Sequence, residues 1–110
     1  MNCEERVFRM KLKPGAADEY RRRHAAIWPE LIADMRARGI CGYRIWLDET
    51  SGDVFALMHR DPDLVRSDRP SAIVQRWWDH MADLMEVHAD NAPVQTPLIP
   101  AFVLKGPGSH

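Results

Sequence analysis

The residue order predicts an α+β domain built as β-α-β-β-α-β, and three observations carry that prediction. Apolar and polar residues alternate from Val7 to Lys13 and again in two segments between Ile40 and His59, which is the period of a half-buried strand. Between Ala16 and Arg38, and again from Ser71 to His88, apolar residues recur at steps of three or four, the period of a helix with one buried stripe. The chain of 110 residues leaves room for one domain, long enough to hold a core without disulfides.

In the first strand Phe8, Met10 and Leu12 share one face while Arg9, Lys11 and Lys13 share the other, and Pro14-Gly15 ends it. Ala17, Tyr20, His24, Ile27, Leu31 and Met35 then draw a helical stripe. Trp28-Pro29 interrupts that stripe, because the residue before a proline is pushed out of the α region while proline suits a first helical position. The expectation is a bent helix or two short ones, closed by Gly39 as a C-terminal cap. Ile40 to Leu47 resumes alternation with Cys41, Tyr43, Ile45 and Leu47 on one face, and the turn DETSGD (Asp48 to Asp53) joins it to Val54 to His59 as a hairpin. The charged, proline-bounded stretch Asp61 to Pro70 reads as a loop. Ser71 is placed to cap a second helix with the stripe Val74, Trp77, Met81, Leu84 and His88. A loop from Ala89 to Pro97 leads to an expected final strand, Leu98 to Leu104, and residues 105–110 form a tail.

This order is the ferredoxin-like split βαβ unit, with residues 1–104 as one domain. Its last strand lies at a sheet edge, where the missing N–H of Pro100 is tolerated. Two helices cover one sheet face. Ile40, Trp46, Phe55 and Leu57 would make the other apolar too, which points to burial against a second copy through a two-fold interface.

With 15 Lys+Arg against 16 Asp+Glu the net charge is -1, so the basic footprint of a nucleic-acid binder is missing. The longest apolar stretch, Val54 to Met58, is too short to cross a bilayer, and MNCEERVF lacks the order of a signal peptide. A cytoplasmic protein with no membrane partner is the expectation. Cys3 and Cys41 form no CxxC pair and are expected to be free thiols.

Tyr20 and His24 are four apart, so on a helix they address one small volume. They suit either core packing or a proton-transfer pair, a group titrating near neutrality beside a hydroxyl. Trp77 and Trp78 stand about 100° apart around a helix, so one follows the buried stripe and the other points sideways. They are core packing or the flat apolar platform with an N–H donor that a sugar ring needs. Asp79, His80, Asp83 and His88 lack the spacing of a metal motif, so no metal is expected. Arg21, Arg22 and Arg23 follow Asp18 and Glu19 in the order of helix-surface ion pairs, the reading of a solvated face. No nucleotide-binding or serine-hydrolase motif occurs.

The segments EYRRRHAAIWPEL (Glu19 to Leu31), GYRIWLD (Gly42 to Asp48), QRWWDHMADLM (Gln75 to Met85) and DNAPV (Asp90 to Val94), taken in this order, resemble the L-rhamnose mutarotase family over nearly all of residues 6–104. The resemblance implies a dimeric α/β-barrel type assembly of ferredoxin-like domains. It also implies a cofactor-free isomerase that interconverts the α and β anomers of L-rhamnopyranose. Residue by residue, it implies His24 as proton donor to the ring oxygen and Tyr20, Tyr43, Trp77 and Trp78 as substrate-binding groups. The tyrosines would hold hydroxyls and the tryptophans form a wall against the ring and its C6 methyl. The complementary base stays open among water, Asp48 and the Asp90-Asn91 loop. L-fucose or another 6-deoxy sugar remains an alternative substrate, because Trp46, the 61–70 loop and the IPAFVL ending depart from the family's usual pattern. A noncatalytic sugar-binding module and a small dimeric monooxygenase or haem-degrading domain are the rival classes.

Overall fold

The computed structural model describes residues 3–64 and 69–107. Its elements are β1 (Glu4–Lys11), α1 (Ala17–Ala25), α2 (Pro29–Ala37), β2 (Ile40–Leu47), β3 (Asp53–Arg60), α3 (Ala72–Met81) and β4 (Thr96–Pro97), with single 3₁₀ turns at Pro62–Leu64 and Ala82–Leu84. The four strands form one antiparallel sheet in the order β2-β3-β1-β4, which is the predicted topology with the last strand at the edge. The alternation dictates which face is buried. Phe8 and Met10 of β1 and Val54 and Ala56 of β3 point to the helix side, where they meet Tyr20 of α1, Met81 of α3 and Met85 beyond it.

Trp28-Pro29 resolves the bent-or-broken alternative into two helices. Trp28 is extended (φ -69, ψ 128) and Pro29 opens α2. Gly39 closes α2 at φ +92, and a Cβ there would lie 2.8 Å from that of Leu64, so both the conformation and the close approach call for glycine. The Ser71 cap forms as expected: its Oγ accepts from Val74 N–H at 3.4 Å and donates to Asp34 Oδ2 at 2.8 Å, tying the start of α3 to α2. The solvated-face reading of the arginines holds, with ion pairs from Arg21 to Asp18 and from Arg22 and Arg23 to Glu19.

Four expectations are corrected. The pairing steps from Ile40↔Arg60 to Gly42↔His59, so Cys41 is the extra residue of a β-bulge. It turns outward, and Ile40 takes its place on the side of Tyr43 and Ile45. Cys41 is also not a free thiol: it is disulfide-bonded to Cys3, with Cα atoms 6.8 Å apart. The topology explains the pairing. Glu4, just after Cys3, and Ile40, just before Cys41, pair with Arg60 from opposite sides, so the two cysteines flank one end of β3. Spacing rules for local motifs do not detect such a contact.

The third correction concerns the final strand. Only Thr96 and Pro97 pair with β1, followed by one hydrogen bond from Leu98 N–H to Val7 O (2.9 Å). Residues 98–106 have no strand structure, and Ile99, Phe102 and Leu104 are more than 80% exposed. Pro97 and Pro100 remove donors on either side of Leu98, so the ladder cannot propagate. Lastly, His88 is not on the stripe of α3. The helix ends at Met81, and His88 sits exposed in the following loop, its N–H bonded to Ala92 O. The predicted 61–70 loop lies partly outside the described residues. Among those described, no helix is long and apolar enough to cross a membrane.

Candidate active site

A cavity of about 430 Å³ opens between the helix-covered face of the sheet and the helices, within the roughly 300–1,000 Å³ typical of small-molecule sites. Tyr20, His24, Tyr43, Trp77 and Trp78 all line it. The five positions singled out in the sequence, scattered over 59 residues of chain from Tyr20 to Trp78, thus converge on one volume. Each arrives by a local rule: Tyr20 and His24 by the i, i+4 step of α1, Tyr43 by alternation in β2, Trp77 by the stripe of α3. The sideways position of Trp78 still places it on the cavity wall. The rest of the lining is almost wholly aliphatic, including Met10, Met35, Met58, Met81 and Met85.

His24 is held on three sides. Its Nδ1 lies 3.0 Å from the carbonyl oxygen of Tyr20, its ring is 4.3 Å from that of Tyr20, and the Trp77 indole meets it edge-on at 5.4 Å. A carbonyl only accepts, so Nδ1 carries the proton and Nε2 is the nitrogen left for other chemistry. Burial pulls the imidazole below its ordinary range, and the hydrogen bond to Tyr20 O opposes that only in part. The resting ring is neutral at pH 7. Burial also raises both phenols, Tyr20 well above its usual range and Tyr43 up to about 12, so they remain protonated hydrogen-bonding groups.

Trp77 is buttressed by Trp28 (5.1 Å) and His80 (5.6 Å), and no feature of the sequence marks either residue for this support. Arg23 fixes the two helices that carry the site. It donates to Asp83 Oδ1 (2.8 Å), to His80 O (2.6 Å) and to Glu19 (2.8 Å), which joins α1 to the end of α3. Hydrogen bonds from Arg22 and Arg23 hold the Glu19 carboxyl at about 2. Gln95, exposed and not singled out in the sequence, also lines the cavity.

The carboxylate candidates for a complementary base do not line this cavity. Asp48 spends its Oδ1 on the N–H groups of Thr50 and Ser51 in the β2–β3 turn. Asp90 accepts from Ala92 N–H, and Asn91 donates to Asp79, in a network that braces the loop against α3. Among the described residues there is no group of three or more His, Cys, Asp or Glu side chains placed to hold a metal ion.

Comparison with known proteins gives a single answer. A family model described as L-rhamnose mutarotase matches residues 5–103. An L-rhamnose mutarotase of Sinorhizobium fredii (strain NGR234) is 48% identical over 102 residues, covering 92% of this chain and 98% of the relative. That of Jannaschia sp. (strain CCS1) is 45% identical over 100 residues, 90% of this chain and 96% of the relative. Among solved structures, the L-rhamnose mutarotase FA22100 from Formosa agariphila superposes with a TM-score of 0.79 at 38% identity, covering 93% of this chain and 99% of that one. Rv0793 from Mycobacterium tuberculosis, with a TM-score of 0.55 at 16% identity over 92% of this chain and 97% of its own, shares the fold alone.

Proposed function

This chain belongs to the L-rhamnose mutarotase family, and from that premise we propose that His24 carries the proton in its reaction, the interconversion of the α and β anomers of L-rhamnose. The observation that supports this role is the anchored ring: Nδ1–H is committed to Tyr20 O, which leaves Nε2 in the shared cavity with the two phenols and the two indoles. Ring opening moves the anomeric O–H proton to a base, forms the C1 carbonyl, breaks the bond from C1 to the ring oxygen and protonates that oxygen. Rotation about C1–C2 and closure on the other carbonyl face return the second anomer.

In opening, the neutral imidazole takes the anomeric O–H proton at its bare Nε2, and the imidazolium so formed, made more acidic by burial, delivers that proton to the ring oxygen as the C1–O bond breaks; closure runs the same transfers in reverse. In this reading Tyr20 and Tyr43 hold the sugar hydroxyls, and Trp77 and Trp78 pack against the ring and its methyl group. Water from the open mouth of the cavity is the complementary proton carrier, since the candidate carboxylates are engaged elsewhere.

The active species in this proposal is a homodimer. Trp46 and Phe55 on the uncovered sheet face are 47% and 36% exposed and continuous with Val7 and Leu57, and beyond β4, at the opposite edge of the sheet, the apolar residues 98–104 are exposed as well. A second copy is the occupant that matches this surface with itself. The proposed compartment is the cytoplasm. The function itself is tested by exchange NMR on the α and β anomers of L-rhamnose and L-fucose side by side. Catalysed exchange of L-rhamnose in preference to L-fucose is expected, and the uncatalysed rate for both would overturn the reading.

A further inference from the structure

The lining of the cavity poses a problem of hydrogen-bond supply. A 6-deoxy pyranose presents four hydroxyl groups and a ring oxygen, and each hydroxyl taken from water needs a place for its proton as well as its lone pairs. The two indoles donate only. His24 accepts through Nε2 alone, since Nδ1 is committed to Tyr20 O. The phenols of Tyr20 and Tyr43 are single hydroxyls kept protonated by burial. An otherwise aliphatic wall adds nothing, so the five positions undersupply acceptors for the sugar.

We infer that Gln95 is a sugar-positioning residue of this site, its side-chain amide binding a ring hydroxyl and contributing to the choice among 6-deoxy sugars. Three observations converge on it. Gln95 lines the same cavity as His24 and Trp78. Among the described residues its exposed side chain has no hydrogen-bond partner, whereas Gln75 spends its amide on Asp79 and Asp90 O. Its placement also follows from the sheet. Thr96 pairs with Arg9 on the outer face, so the residue before it falls opposite Met10 on the helix side, where β1 floors the cavity. The backbone on either side is fixed by Val94 N–H to Glu86 O (3.1 Å) and by the pairing of Thr96 and Pro97 with β1. The amide is therefore carried on a held backbone with both its functions available. It donates and accepts but does not titrate, which suits binding and excludes proton transfer.

This inference rests on the mutarotase reading, and its test separates the two. Exchange kinetics and NMR binding titrations are run on the intact chain, Gln95→Leu and Gln95→Glu, with L-rhamnose and its monodeoxy analogues. In Gln95→Leu, KM for L-rhamnose is expected to rise about 10-fold with kcat within twofold, as one hydrogen bond of about 1.4 kcal/mol is worth. The analogue lacking the hydroxyl that meets the amide should bind wild type and variant equally. Gln95→Glu, which keeps the acceptor, should recover most of the affinity. Equal KM in wild type and Gln95→Leu, or a loss shared by every analogue, overturns the role of Gln95 while leaving the mutarotase reading intact. A wild-type chain that binds L-rhamnose without exchanging it overturns the mutarotase reading, and the titrations still decide the contact.

Discussion

The two faces of the sheet follow the same alternation and put it to opposite uses. On the helix side, Val54 and Ala56 are wholly buried, yet their small side chains and the flexible methionines around them leave an open cavity. On the other side, the residues between and opposite them are large and rigid: Phe55 lies beside Trp46, and Arg44 sits 5.2 Å over the Trp46 ring. Volume is withheld where the cavity opens and supplied where apolar residues stand exposed. Methionine adapts its shape, which makes it a suitable lining for a pocket that exists only as a difference between helices and sheet. Aromatic residues lose little side-chain entropy on ordering and so suit an interface.

If the inner face performs the chemistry and the outer face the assembly, changes on each should separate them. The largest effect is expected for His24→Ala: anomer exchange by NMR falls at least about 100-fold, because the imidazole proposed to carry the proton is removed, while the sedimenting mass is unchanged. Retained exchange with an intact circular dichroism spectrum would remove His24 from the mechanism. On the opposite face, Trp46→Glu places a charge within the apolar patch. Sedimentation at micromolar protein should then report a species near 12.7 kDa, and about twice that is expected for the wild type. A monomeric wild type would show that the outer face serves another partner.

The sequence disclosed these faces unequally. β1, β2 and β3, both helical segments and the edge position of β4 follow from alternation and 3.6-residue periodicity, because burial on one side imposes a strict repeat. The cavity residues were legible through the family resemblance: spacing left Tyr20 and His24, and Trp77 and Trp78, open between core packing and chemistry, and Tyr43 was singled out by the resemblance alone. What escaped was long-range or irregular. A bulge breaks the period of two with no marker residue, so Cys41 was put on the wrong side and its bond to Cys3 went unseen. The run from Leu98 to Leu104 has the composition of a strand, but strand formation needs a partner edge, and the prolines deny it one within this chain. Gln95 carries no signal at all, since its meaning comes from the register of Thr96 against Arg9.

The disulfide sharpens the comparison by joining the residue before β1 to the start of β2, and neither cysteine lines the cavity. It closes a separation of 38 residues, and loss of such a link typically costs about 2–4 kcal/mol by freeing the unfolded chain. Cys3→Ser should therefore lower the urea midpoint measurably and leave the exchange rate of the folded protein as it was. A fall in exchange rate in parallel would mean that the bulge at Cys41, and with it the placement of Tyr43, depends on the bond.

The smallest expected effect is one of pH, and it belongs to the inner face alone. Burial lowers the folded-state value of His24 below the ordinary 6.5, so between the two values the unfolded chain binds more protons than the folded one. Stability from this group is complete above pH 6.5 and is lost as the pH falls toward the depressed value, the reverse of a histidine that gains an acidic partner. The carboxylates of half-buried Glu19 and exposed Asp48, Asp79 and Asp83 also have lowered values and lose their contribution on acidification, but starting nearer the carboxylate range. Urea midpoints of wild type and His24→Asn, followed from pH 8 to pH 5, should diverge only below about pH 6.5, with the wild type falling faster. The acid limb of exchange activity should lie below 6.5 as well, because the neutral Nε2 persists to lower pH in the folded state. Parallel stability curves, with an activity limb above 6.5, would mean that the imidazole is stabilised in its charged form, and the neutral ring anchored on Tyr20 would no longer describe the resting site.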